Sequence, residues 1–139
     1  MGNRAVITTA PYSEDNLGIY VHWNGGRESI EGFLEAARRL DYRTPGSDPA
    51  YAMARLACAI GLFFGGEASL GIGVNRDLDT DNGDNGTWLI GPGWEVVGQR
   101  SGDVSIPLDE AWDTAKATAI AEIIVRRIAA AEAAKETAA

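Results

Sequence analysis

The chain has 139 residues, 45% hydrophobic and 23% charged, which suits one folded core and is too apolar for a disordered polymer. Twenty acidic residues against twelve basic ones leave a formal charge of −8, which speaks against a duplex-DNA binder, since that needs a positive stripe to displace counterions. One cysteine, Cys58, and one histidine, His22, exclude an intrachain disulfide, a cysteine-built zinc site and a multi-histidine metal centre.

The N-terminal residues lack the apolar run of ~7–15 residues that a secretory signal needs. The longest apolar stretch, 57–64, is far short of the ~20 residues that span a bilayer. The expected location is the cytoplasm, with no membrane partner.

Residues 4–9 are rich in β-branched side chains and stop before Pro11, which predicts a strand. A second strand is predicted over 18–23, closed by Asn24-Gly25-Gly26. Alternation puts Tyr20 and His22 on one face and Ile19, Val21 and Trp23 on the other, the expected core face. From Ser29, a candidate N-cap, Ile30, Phe33, Leu34, Ala37 and Leu40 recur at helical spacing. Asp48-Pro49 then offers an N-cap followed by proline at the first helical position. The helix it opens runs to Phe64, stops at Gly65-Gly66 and reads as the central helix, with Cys58 expected as a buried structural thiol.

Leu70, Ile72 and Val74 alternate with Gly71 and Gly73, so a strand is predicted with one face bare of side chains, which a packed helix or a ligand must approach. After the acidic loop 76–86, residues 87–90 and 94–98 flank Gly91-Pro92-Gly93 as a hairpin. Pro107 is expected to open a last helix, with Leu108, Trp112, Ala115, Ala119, Ile123, Ile124 and Ile128 as its stripe. Beyond residue 128 the chain is alanine-rich, a tail expected to be helical or frayed and able to support a homodimer. The sum is a single α+β domain over 1–128 with a tail over 129–139: an antiparallel sheet of about five strands against two central helices, plus a C-terminal helix.

Three features could carry chemistry. The block 20–27 puts Tyr20, His22, Asn24 and Arg27 around a glycine turn at a helix N-terminus, where backbone N–H groups and a guanidinium could hold a phosphate or carboxylate, as in a small phosphorylated ligand or nucleotide. The plainer alternative is a glycine turn with Arg27 paired to Glu28 or Glu31. His22 could act as a general base, yet no nucleophile motif accompanies it, so no catalytic residue is assigned and a His22-dependent enzyme is only an alternative.

In the loop, Asp77, Asp79 and Asp81 stand at alternate positions, as calcium ligands do, but glycine falls one position late for an EF-hand and Trp88 stands where the bidentate glutamate belongs. Calcium is a weak candidate on these three residues, and otherwise no cofactor or metal is expected. The plainer alternative is an acidic loop whose two Asn-Gly steps supply positive-φ turns before the next strand. With Asp84, the same carboxylates could instead imitate nucleic-acid phosphates and occupy a basic groove on a protein. Of the four tryptophans, two are expected in the core, and Trp94, in the Gly-Pro-Gly turn, is expected at a binding surface.

The opening Gly2-Asn3-Arg4-Ala5-Val6-Ile7-Thr8, the block His22-Trp23-Asn24-Gly25-Gly26-Arg27 and the loop Asp81-Asn82-Gly83-Asp84-Asn85-Gly86 together resemble a family of small, mostly uncharacterised bacteriophage and prophage proteins. The resemblance covers about the first hundred residues. It implies an accessory protein that disables or redirects a host protein by stoichiometric binding. The expectation is therefore a nonenzymatic inhibitor, of the counter-defence or anti-CRISPR type, acting through an acidic and aromatic surface.

Overall fold

The computed structural model describes residues 2–66 and 69–138; Met1, Glu67, Ala68 and Ala139, which include both ends of the expected domain and tail, lie outside the described residues. The fold is α+β. Strand β1 (Ala5–Thr9) lies centrally, antiparallel to β2 (Leu17–Val21) with Ile7 opposite Ile19. On the far side of β2 is β3 (Leu70–Val74), an edge strand. The other neighbour of β1 is β4 (Thr87–Ile90), followed by β5 (Val96–Ser101) and β6 (Val104–Ile106), giving the order β3-β2-β1-β4-β5-β6.

Two features of the sheet depart from expectation. It has six strands, because the short piece before Pro107 pairs with β5 as Arg100 opposite Ser105. The β1–β4 pair is parallel, with Ile7 opposite Trp88, and the remaining pairs are antiparallel. A parallel pair needs a crossover, which here runs from the β3 edge across two strands to β4.

One face of the sheet carries helices α1 (Arg27–Arg39), α2 (Pro49–Phe63) and α3 (Thr114–Ala138). Ala5, Ile7, Ile19, Val21, Trp88 and Ile90 point into that core. Helix α1 is more deeply buried than α2, the expected central helix: Ile30, Phe33, Leu34, Ala36 and Ala37 are fully buried, and all three helices touch one another. Its closest approach to α3 is at Gly32, where a Cβ would stand 2.8 Å from the Ala117 carbonyl oxygen and from Ile120.

The helix starts also shift. Gly26 is the N-cap of α1, so Ser29 sits inside the first turn and is buried. Asp48 caps α2 as expected, its carboxylate accepting the Tyr51 N–H at 3.2 Å. Helix α3 begins at Thr114, not after Pro107; Asp113 accepts the Lys116 N–H on its carboxylate at 3.0 Å and the Ala117 N–H on its carbonyl. Its inward face is Ala117, Ile120, Ala121 and Ile124, while Ala115 and Ala119, expected in the stripe, are exposed. Cys58 is exposed rather than buried, because the inward face of α2 is taken by Ala52, Met53, Leu56, Ala59 and Ile60.

The opposite face of the sheet is covered by the crossover, residues 75–86. Val6, Thr8 and Thr87 beneath it are fully buried. The Leu78 side chain reaches over Gly18 and Gly73, and Gly71 faces Tyr20, so what approaches the bare glycine face is neither a helix nor a ligand but the loop and a neighbouring side chain. Asn75 ties the start of the loop down, its Nδ2 donating to Thr8 Oγ1 and to the Ser13 carbonyl, both at 2.9 Å.

Candidate functional site

The opening segment around Asn3 and Arg4, the block His22–Arg27 and the loop Asp81–Gly86 meet at one end of the sheet. The Asn3 N–H donates to the His22 carbonyl at 2.9 Å, the Gly25 N–H to the Asn3 carbonyl at 2.8 Å, and the Asn85 N–H to the Arg4 carbonyl at 3.1 Å. Residues 3 and 4 are thus clamped between the two blocks. Gly25 is glycine because a Cβ there would lie 2.6 Å from the Asn3 oxygen, and its own carbonyl accepts the Trp88 indole N–H at 2.7 Å. Asn24 takes a left-handed φ of 61° and donates its amide to Ser29 Oγ at 3.1 Å.

Asn82 organises the acidic loop from within. Its side chain is buried, with Nδ2 donating to the Asp79 and Gly86 carbonyls, each at 3.0 Å, while Oδ1 accepts the N–H groups of Asp84 and Gly86, each at 3.1 Å. Asp84 faces the N-terminus. Its Oδ2 accepts both the backbone N–H of Arg4 at 3.0 Å and Arg4 Nε at 2.8 Å. Those hydrogen bonds hold the Asp84 carboxyl below the usual carboxylate range, and the same pairing pushes the Arg4 guanidinium up. Asp79 stands 3.8 Å from Arg4 on its other side.

Beside this cluster, the Tyr20 hydroxyl and His22 Nδ1 are 2.9 Å apart. Burial pushes the Tyr20 phenol up, and the positive charge of Arg4 only partly offsets it, so the phenol stays protonated near neutrality. The His22 ring meets the Trp23 indole edge-on at 5.2 Å and lies against Gly2, where a Cβ would be 2.8 Å from Nε2. Trp23, expected in the core, falls just beyond β2 and is 48% exposed. The outcome is that Tyr20 and His22 lie beside Arg4 and the loop carboxylates Asp79 and Asp84, with Trp23 packed edge-on against His22.

The remaining sequence-predicted residues go elsewhere. Arg27 belongs to the seam between α1 and the lead-in to α3. Its Nε donates to Glu31 at 2.7 Å, Nη1 donates to the Asp109 carbonyl at 3.0 Å, and the guanidinium sits 4.2 Å from the centre of the Trp112 ring. Its pairing with Glu31 matches the plainer reading, and its Nε and Nη1 both bond within the chain. Trp94 is 1% exposed and therefore no surface residue: at φ 68° it turns inward and donates its indole N–H to the Tyr42 carbonyl at 3.3 Å. The alternate carboxylates do not converge on a point: Asp79 faces Arg4, Asp81 accepts from Ser101 Oγ at 2.7 Å, and Asp77 lies exposed in the 3-10 turn Asn75–Asp77. Among the described residues no three or more His, Cys, Asp or Glu side chains are grouped to hold a metal ion.

Residues that composition and spacing did not single out are Arg4, Asn3, Asn82 and Asn85, all of which hold the site together. The signal for Asn82 and Asn85 was the pair of Asn-Gly steps, since an asparagine amide bonds the backbone two residues on and so builds turns; Arg4 and Asn3 carried no such signal. No helix among the described residues is long and apolar enough to cross a membrane. No protein-family model matches the chain, and neither do any curated protein or solved structure.

Proposed function

We propose that this chain is a nonenzymatic binding protein that occupies a basic surface on a host protein, in the manner of a phage accessory inhibitor directed at a defence function. The observation that carries the reading is the exposed Asp79 and the Asp84 clamped to Arg4, whose backbone neighbour Asn3 bonds the His22 carbonyl, with the solvent-exposed Trp23 edge-on to the His22 ring. An aromatic side chain with few rotatable bonds supplies contact area at low entropic cost, and fixed carboxylates supply steering and register. The net charge of −8 favours approach to a basic partner and makes it salt-sensitive. Within the site, His22 is hydrogen-bonded to a protonated phenol and packed against Gly2, an arrangement that fixes the ring in place.

The test is affinity capture from the natural host, with the wild-type chain and two variants immobilised side by side. Wild type should retain one host protein in a 1:1 ratio, with retention falling steeply as salt rises. The double variant Asp77→Asn/Asp79→Asn should lower the association rate, and Trp23→Ala should raise the dissociation rate. A captured protein held as well by both variants as by wild type, or turnover of any substrate that follows the ionisation of His22, would end this reading.

A further inference from the structure

We propose that the chain forms a twofold homodimer by antiparallel pairing of β3 with β3 of a second copy. Pairing within the sheet fixes which backbone groups of β3 are free. The His22 N–H donates to the Ser69 carbonyl and the Asn75 N–H to the Asn16 carbonyl, at 3.1 and 3.0 Å, in the same register that sets Gly71 opposite Tyr20 and Gly73 opposite Gly18. In an antiparallel ladder these inward-bonded residues alternate with outward ones. The N–H and C=O groups of Leu70, Ile72 and Val74 therefore face out from the sheet edge.

Among the described residues, that edge lacks the usual protection. Natural edge strands are blunted by charge, proline or shortness. The opposite edge, β6, is three residues long and lies between Asp103 and Pro107. By contrast, β3 has five residues, none of them charged or proline, and its central Ile72 is 58% exposed although its neighbour Ile19 in β2 is fully buried. At its far end Arg76 and Asp15 pair with each other, so two copies of an acidic chain meet there on a locally neutralised border.

A second copy is the occupant because the edge is complementary to itself. About a twofold axis through Ile72, each Leu70 lies opposite the partner's Val74 and each Ile72 opposite its counterpart. The three residues whose backbone groups face outward are also the three apolar ones, and their side chains share a face. Three hydrogen-bonded pairs and a joined Leu-Ile-Val ridge result, and the two sheets become one. Such a narrow interface predicts reversible association that rises with concentration.

Two measurements decide this. In sedimentation the wild-type chain should show a concentration-dependent dimer, and Ile72→Lys should weaken it by about tenfold or more by placing two charges opposite each other. Independently, in a Cys58→Ser background, Ile72→Cys should form a disulfide-linked dimer under mild oxidation. Hydrogen-bonded partners stand about 5.5 Å apart at Cα, within the range a disulfide spans. Val104→Cys on the other edge should crosslink far more slowly. A monomer at all concentrations, an Ile72→Lys chain that still dimerises, equal crosslinking at both edges, or a β3 that pairs only with a foreign extended peptide would overturn the proposal.

Discussion

Asp84 binds Arg4 twice through a single carboxylate oxygen, once at the backbone N–H and once at Nε, across eighty residues of sequence. This contact fastens the start of the chain to the loop that covers the outer face of the sheet, so its charge state governs how firmly that face is closed. The Asp84 carboxyl is held below its ordinary value of 3.8, and a depressed carboxylate contributes stability above the unfolded-state pKa and loses it as pH falls through the folded-state value. The expected result is a difference in thermal midpoint between wild type and Asp84→Asn that is constant near neutrality and closes only below about pH 4. A carboxyl resonance of Asp84 titrating at or above 3.8 would contradict this.

Asn82 is the internal brace of the same loop, with both side-chain ends bonded to buried backbone groups. Asn82→Ala leaves those groups without partners at a cost of about 1–3 kcal/mol, with no loss of packed apolar bulk. Chemical denaturation reads the loss. Hydrogen exchange should show it spreading to Thr80 and Thr87, which are joined by the Thr87 Oγ1 bond to the Thr80 carbonyl at 3.1 Å. A variant as stable as wild type would mean that water replaces the amide without penalty.

The tryptophans separate stability from binding. Trp94→Ala should cost roughly 3–5 kcal/mol, since it empties a fully enclosed site and strands the Tyr42 carbonyl. Trp23→Ala should change stability by less than about 0.5 kcal/mol. Fluorescence quenching by acrylamide should fall markedly in Trp23→Ala and remain in Trp94→Phe. Equal quenching loss in both would place the accessible indole elsewhere.

Much of the fold is legible from local pattern. The strand 4–9, the α2 cap at Asp48-Pro49 and the apolar stripe of α1 follow from β-branching, proline's fixed φ and 3.6-residue periodicity, all of which act within a few residues. Helix starts were less legible, since Ser29 and Pro107 carry the chemistry of a start but Gly26 and Asp113 occupy the positions where the chain turns. Of the candidate site, the sequence pointed to Tyr20, His22 and the acidic loop, and missed the Arg4 and Asn3 that join them.

The residues by themselves determined the α+β class, the turn-building role of the Asn-Gly steps and the acidic character of the surface, because each is a property of short segments or of composition. Only the tertiary arrangement decided that β1 and β4 run parallel, that Trp94 faces in and Trp23 out, and that Cys58 lies exposed. The physical reason is that each depends on contacts between segments distant in the chain: the crossover from the β3 edge sets β1 and β4 parallel, the Tyr42 carbonyl receives the Trp94 indole, and Ala52, Met53, Leu56, Ala59 and Ile60 take the inward face of α2.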